Sequence, residues 1–124
     1  MIRFILIFFF LITYSYKANS LELIMYDSKY CFYCKKFLKE VGSDYNLPQL
    51  PLIVIDDKNQ PRWFYKAVKK NKIKPIRGTP TFIIWDEKNK IEIDRIVGYG
   101  NKDDFYKKLR SLFVNFINEN KSSS

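Results

Sequence analysis

Histidine is absent from all 124 residues of this chain, and cysteine occurs only twice. The first absence removes imidazole as a general base, Ser-His-Asp nucleophile activation and the commoner zinc sites. The second confines all thiol chemistry to Cys31 and Cys34. Long apolar runs are missing as well. The longest, Phe4–Ile12, has nine residues, whereas a membrane-spanning helix needs about 20. No internal repeat, linker or change of composition marks a second domain, and the length suits a single core.

What the chain does have is positive charge, with 22 Lys and Arg against 13 Asp and Glu, for a net +9. The cations are dispersed: Lys35, Lys36, Lys39, Lys66, Lys69, Lys70, Lys72, Lys74, Lys107 and Lys108 are interleaved with Asn and Asp. That is the pattern of solvated helix faces and not of a nucleic-acid site, so no nucleic-acid partner is expected. The charge can still steer the domain towards acidic proteins or an anionic membrane surface.

The N-terminus has the layout of a secretory signal peptide. A short basic start, Met1-Ile2-Arg3, precedes the apolar run, and Ala18-Asn19-Ser20 offers small residues for a cut after Ser20. The expected organisation is a leader over residues 1–20 and one exported domain over 21–124, whose last residues, 119–124, form a disordered tail. The alternative is an uncleaved N-terminal anchor. Cleavage removes Arg3 and Lys17, lowers the formal charge to +7, and leaves no stable membrane insertion.

Hydrophobic periodicity then gives the order β-α-β-α-β-β-α. Strands are expected at Leu21–Tyr26, Pro51–Asp56, Pro80–Trp85 and, after a hairpin turn at Asp86–Lys90, Ile91–Val97. The first helix begins near Cys31, with Cys34, Phe37, Leu38 and Val41 on one face and Gly42 as its cap. The second opens with Pro61 at its first position, turns Trp63, Phe64, Ala67 and Val68 inward, and frays by Lys74-Pro75. The third is capped by Asn101, with Asp104 in capping-box relation, and buries Phe105, Leu109, Leu112, Phe113 and Phe116. The first three strands are expected to run parallel through helical crossovers, with the fourth as an antiparallel edge.

Cys31-Phe32-Tyr33-Cys34 sits where the first strand gives way to a helix. Two thiols at that spacing close only a tiny ring, a poor stabilising staple but a good cycling disulfide. Cys-x-x-Cys also serves zinc and copper, and its thiolates select Cu(I), so a copper-binding module is the alternative, with Met25 as the one further ligand at hand.

This order, with Cys-x-x-Cys at the first strand–helix junction and Arg77-Gly78-Thr79-Pro80-Thr81-Phe82 further on, resembles the thioredoxin superfamily. Val97-Gly98, Asn101-Lys102 and Phe105 also fit its pattern. Among exported members the likeness is to small periplasmic thioredoxin-like proteins such as those of bacterial sulfur-oxidation systems. The resemblance implies an α/β thioredoxin fold with a four-stranded mixed sheet flanked by helices, and a monomeric periplasmic thiol-disulfide oxidoreductase. It implies protein disulfides as substrates, a membrane electron donor, and neither cofactor nor metal. Cys31 and Cys34 are then the catalytic pair and redox-active disulfide. Cys31, at a helix N-terminus that lowers its pKa, is the nucleophile, and Cys34 resolves the mixed disulfide.

The same resemblance implies a cis Thr79–Pro80 bond that exposes the Thr79 backbone to an extended substrate. Substrate-binding positions are expected at Tyr30, Phe32, Tyr33, Thr79, Pro80 and Gly98, with an aromatic rim that also includes Tyr26 and Tyr99. The chain departs from the best-known members in having Phe32-Tyr33 for Gly-Pro, Tyr30 for Trp, and Met25 where a buried acid often stands. A base for Cys34 then comes from water or from another carboxylate, for which Glu22 is a candidate.

Overall fold

The structure, a computed structural model, describes residues 20–122. The expected leader, apart from Ser20, lies outside the described residues, as do Ser123 and Ser124. Among the described residues there are four strands: β1 (Leu21–Asp27), β2 (Leu52–Asp56), β3 (Thr81–Asp86) and β4 (Ile91–Val97). Three helices accompany them: α1 (Phe32–Phe37), α2 (Arg62–Lys69) and α3 (Lys102–Ser122). No described helix is long and apolar enough to cross a membrane.

The sheet order is β2-β1-β3-β4. β1 is therefore central, and its residues alternate between two cores as a strand covered on both faces must. Leu21, Leu23 and Met25 join Cys34, Phe37, Val41, Phe82, Phe105 and Leu109 on the face of α1 and α3. Ile24 joins Ile55, Phe64, Ala67, Ile73, Ile83 and Trp85 on the face of α2.

β1 and β2 are parallel, as expected, with Met25 opposite Val54. β3, however, runs antiparallel to β1, with Tyr26 opposite Thr81, and antiparallel to β4. The expected parallel pairing of the first three strands is thus wrong for the third, and the reason lies between Lys72 and Thr79. Beyond α2, Lys72 lies level with the start of β1, through Glu92, Trp85 and Glu22 in register, and the chain then returns along the outer flank of β4. Glu92 N–H binds Lys72 C=O at 2.9 Å, and the Arg95 guanidinium binds Lys74 C=O at 2.9 Å and Pro75 C=O at 3.1 Å. That return delivers Thr81 to the end where β1 finishes, so β3 has to run the opposite way.

Several boundaries also differ from expectation. α1 becomes a wider π-helical turn over Leu38–Gly42, with Ser43 N–H reaching back to Leu38 C=O at 3.1 Å. Gly42 belongs to that turn instead of capping a helix, and a Cβ there would lie 3.1 Å from Leu38 Cδ2. Pro61 precedes α2 as its cap instead of opening it, and α2 stops at Lys69, where Asn71 takes φ +59°. Trp63 is exposed on that helix, its ring 5.8 Å from that of Trp85.

Asn101 Oδ1 caps α3 by accepting the Asp104 N–H at 2.9 Å. α3 continues to Ser122, so residues 119–122 are helical and not the expected disordered tail. Phe113 and Phe116 anchor its last turns against the core, and extending an existing helix fixes only one residue per added hydrogen bond.

Candidate active site

The end of β1 positions the dithiol. Ser28 C=O accepts the Cys31 N–H at 3.1 Å, closing the turn that leads from strand to helix. Cys31 is the N-cap of α1, with extended backbone angles (φ −85°, ψ 107°), and its Sγ accepts the Cys34 N–H at 3.1 Å. Cys31 and Cys34 are joined as a disulfide with Cα atoms 5.2 Å apart. Cys34 is completely buried beside Phe37, while Cys31 is half-buried at the edge of the same cluster. A sulfur that caps a helix receives an N–H and sits at the positive end of the peptide dipoles. Both favour its thiolate when the bond is reduced.

Antiparallel register brings the second motif to the same end of the sheet, because Thr81 pairs with Tyr26, close to where β1 ends. The Thr79–Pro80 bond is cis. Thr81 Oγ1 donates to Gly78 C=O at 2.6 Å, and Gly98 N–H donates to Pro80 C=O at 2.8 Å. Gly98 has φ +83°, a conformation natural to glycine. Its N–H is thus committed to holding the Pro80 turn, whereas the Thr79 backbone makes no hydrogen bond to any described residue.

Around the sulfurs, Tyr30, Phe32 and Tyr33 are 81%, 70% and 52% exposed. The other two aromatic residues expected in that rim are packing residues. Tyr26 stacks on Phe64 and takes a hydrogen bond from Gln60 Nε2 at 2.9 Å. Tyr99 is buried against Phe37 and Phe105, and its hydroxyl donates to Glu40 Oε1 at 2.9 Å. Burial, reinforced by Glu40, raises the Tyr99 pKa above its ordinary value.

Met25 is fully buried on the α1 face. Glu22 cannot replace an acid there. It pairs with Trp85 towards the opposite end of β1 and has the strand parity of Ile24, the other face; burial, then Glu87, raises its pKa. Asp27 was not singled out in the sequence, yet it shares the parity of Met25 four residues before Cys31. Burial raises its pKa, against the Ser28 N–H that it accepts at 2.8 Å, while Asp56 and Asp57 add to the rise and Lys35 opposes it. Its only sequence signal is an acid at a strand end. Among the described residues no group of three or more Cys, Asp or Glu side chains is arranged to hold a metal.

A family model described as a thioredoxin-like domain matches residues 12–113. The chain belongs to that family. The fold, with Cys-x-x-Cys as a disulfide at the strand–helix junction, makes this thioredoxin-like domain a thiol-disulfide oxidoreductase.

Solved structures agree on the fold. The periplasmic thioredoxin SoxS from Paracoccus pantotrophus is 24% identical, with a TM-score of 0.59 over 74% of this chain and 94% of that one. A thioredoxin h from poplar is 24% identical, with a TM-score of 0.52 over 77% of this chain and 78% of that one. A thioredoxin from Trypanosoma brucei brucei is 19% identical, with a TM-score of 0.54 over 81% and 77%. Comparison with curated proteins returns no match.

Proposed function

We propose that this domain works in the periplasm as a reductase of protein disulfides, with Cys31 as the attacking sulfur and Cys34 as the resolving one. The observation that carries this reading is the unequal setting of the pair: Cys31 caps the helix at the surface and Cys34 is fully buried. The Cys31 thiolate attacks one client sulfur, the client S–S bond breaks, and its second sulfur leaves as a thiolate. Cys34, deprotonated, then attacks Cys31 Sγ, which re-forms the Cys31–Cys34 bond and frees the other client sulfur. Two electrons pass to the client, and the leaving thiolates take their protons from water. A membrane-bound dithiol donor restores the reduced form.

The unpaired Thr79 backbone beside the Pro80 turn offers strand-like pairing to an extended client segment, with Tyr30, Phe32 and Tyr33 as its apolar surroundings. The leader-like N-terminus supports export, and likeness to a structure whose own name is periplasmic thioredoxin is consistent with that compartment. The domain acts as a monomer.

The test is trapping with Cys34→Ala in exported protein, alongside insulin reduction by the unmodified chain. Covalent partners that are released by dithiothreitol and missing from the Cys31→Ala/Cys34→Ala variant are expected. A chain that traps nothing, leaves insulin oxidised and binds Cu(I) tightly would overturn the reading in favour of a copper module.

A further inference from the structure

Phe32, Lys35, Lys36 and Lys39 fall at i, i+3, i+4 and i+7, the spacing that puts side chains on one helical stripe. Cys34, Phe37, Leu38 and Val41 use the same spacing for the buried stripe of the same segment. The outer stripe lines a groove of about 450 Å3 together with Glu40. It starts between the two cysteines, so a chain docked on Cys31 has it as a neighbour.

Three observations give this groove a chemical preference. Phe32, between the two cysteines in the sequence, is 70% exposed, an apolar surface left uncovered. None of Lys35, Lys36 and Lys39 is in an ion pair among the described residues. Lys36 is already placed, because its Nζ donates to Gly100 C=O at 2.7 Å, so less side-chain freedom is lost when it meets an anion. The acids nearby are few. Glu40 is the one carboxylate of the groove, and it accepts the Tyr99 hydroxyl; Asp27 faces Lys35 from the end of β1.

Resting on the reading of the domain as a reductase of protein disulfides, we infer that this stripe selects clients whose disulfide is flanked by acidic residues. A helix rises about 1.5 Å per residue, so the Cα atoms of the three lysines lie roughly 6–12 Å along α1 and its continuation from Cys31. An extended client covers that distance in about two to four residues at roughly 3.3 Å each. The carboxylates therefore belong two to four residues from the cysteine that Cys31 attacks.

The experiment uses disulfide-bonded peptides that differ only in carrying Asp or Asn at those positions, with the reduced protein. The Asp peptide is expected to react about tenfold faster at about 20 mM salt, the ratio falling towards one near 0.5 M as the charges are screened. In Lys35→Gln/Lys36→Gln/Lys39→Gln the ratio should already approach one at low salt, whatever happens to the common rate. Lys39→Gln alone, at an exposed position, should lower it part of the way.

Equal rates for the two peptides with unmodified protein, or an Asp preference that survives the triple substitution, would overturn the inference. So would equal rates together with lysine-dependent binding to phosphatidylglycerol vesicles, which would assign the stripe to a membrane surface. If neither peptide is reduced under any condition, the reductase reading itself fails.

Discussion

Arg95 holds Glu92 through two parallel hydrogen bonds, Nε to Oε2 at 2.6 Å and a terminal nitrogen to Oε1 at 2.8 Å. The same guanidinium binds Lys74 C=O and Pro75 C=O, and Glu92 Oε1 accepts the Lys74 N–H at 2.9 Å. One ion pair thus fastens the returning segment to β4 and leads it to the Pro80 turn. The Glu92 side chain is only 4% exposed, so Arg95→Ala strands a buried charge and should cost about 3 kcal/mol in urea unfolding. A double-mutant cycle with Glu92→Gln should return a coupling of about 1–3 kcal/mol.

The reduced Cys31 thiol should titrate below free cysteine, near 8.5, because the Cys34 N–H and the helix end both favour its anion. Deprotonation makes the thiol reactive, so its alkylation rate should rise with pH and reach half-maximum at least about one unit below 8.5. Iodoacetamide labelling of the Cys34→Ala variant across pH 5–10 measures this. A midpoint at or above the free-cysteine value would contradict the assignment.

Phe37 and Phe32 lie five residues apart in the same segment and should behave oppositely. Phe37 is fully buried, with its ring 4.6 Å from Phe82 and 5.0 Å from Phe105, so Phe37→Ala should destabilise by about 3–5 kcal/mol. Phe32→Ala should change stability by less than about 0.5 kcal/mol and instead lower the rate of client reduction. Paired unfolding curves and insulin-reduction rates separate the two effects.

Tyr99 should govern part of the alkaline response. Its raised pKa means that the folded state holds the phenol proton more tightly than the unfolded chain does. That stabilisation is complete below the unfolded value of about 10 and is lost as pH climbs through the folded value. Tyr99→Phe should cost about 1–2 kcal/mol at pH 7, by loss of the bond to Glu40, and lose less than the parent above pH 10. Melting temperatures at pH 7 and pH 10.5 check both signs.

Much of this could be read from the residues because burial follows period. β4 spans Ile91–Val97 as its alternation indicates, and Cys34, Phe37 and Val41 are fully buried as their spacing requires. The direction of β3 was not legible. Nothing local in Thr81–Asp86 records that Arg95 and Glu92 draw residues 72–75 back along β4. The π-helical turn leaves no mark on the sequence, because one widened turn scarcely shifts a 3.6-residue pattern.

At the site, the two motifs were visible as sequence and the register joined them. Which aromatics are exposed depended on partners far along the chain, Glu40 for Tyr99 and Phe64 for Tyr26. Composition carries no trace of such pairings.

The complete burial of Cys34 beside a half-exposed Cys31 gives the oxidised protein a single doorway. In the proposed cycle, a donor thiol arriving to recharge it meets the same atom that a client uses in the other half, with the inner sulfur as the leaving group. Donor and client must therefore take turns. Each turnover then takes two exchanges at that one atom, the donor meeting its oxidised state and the client its reduced state.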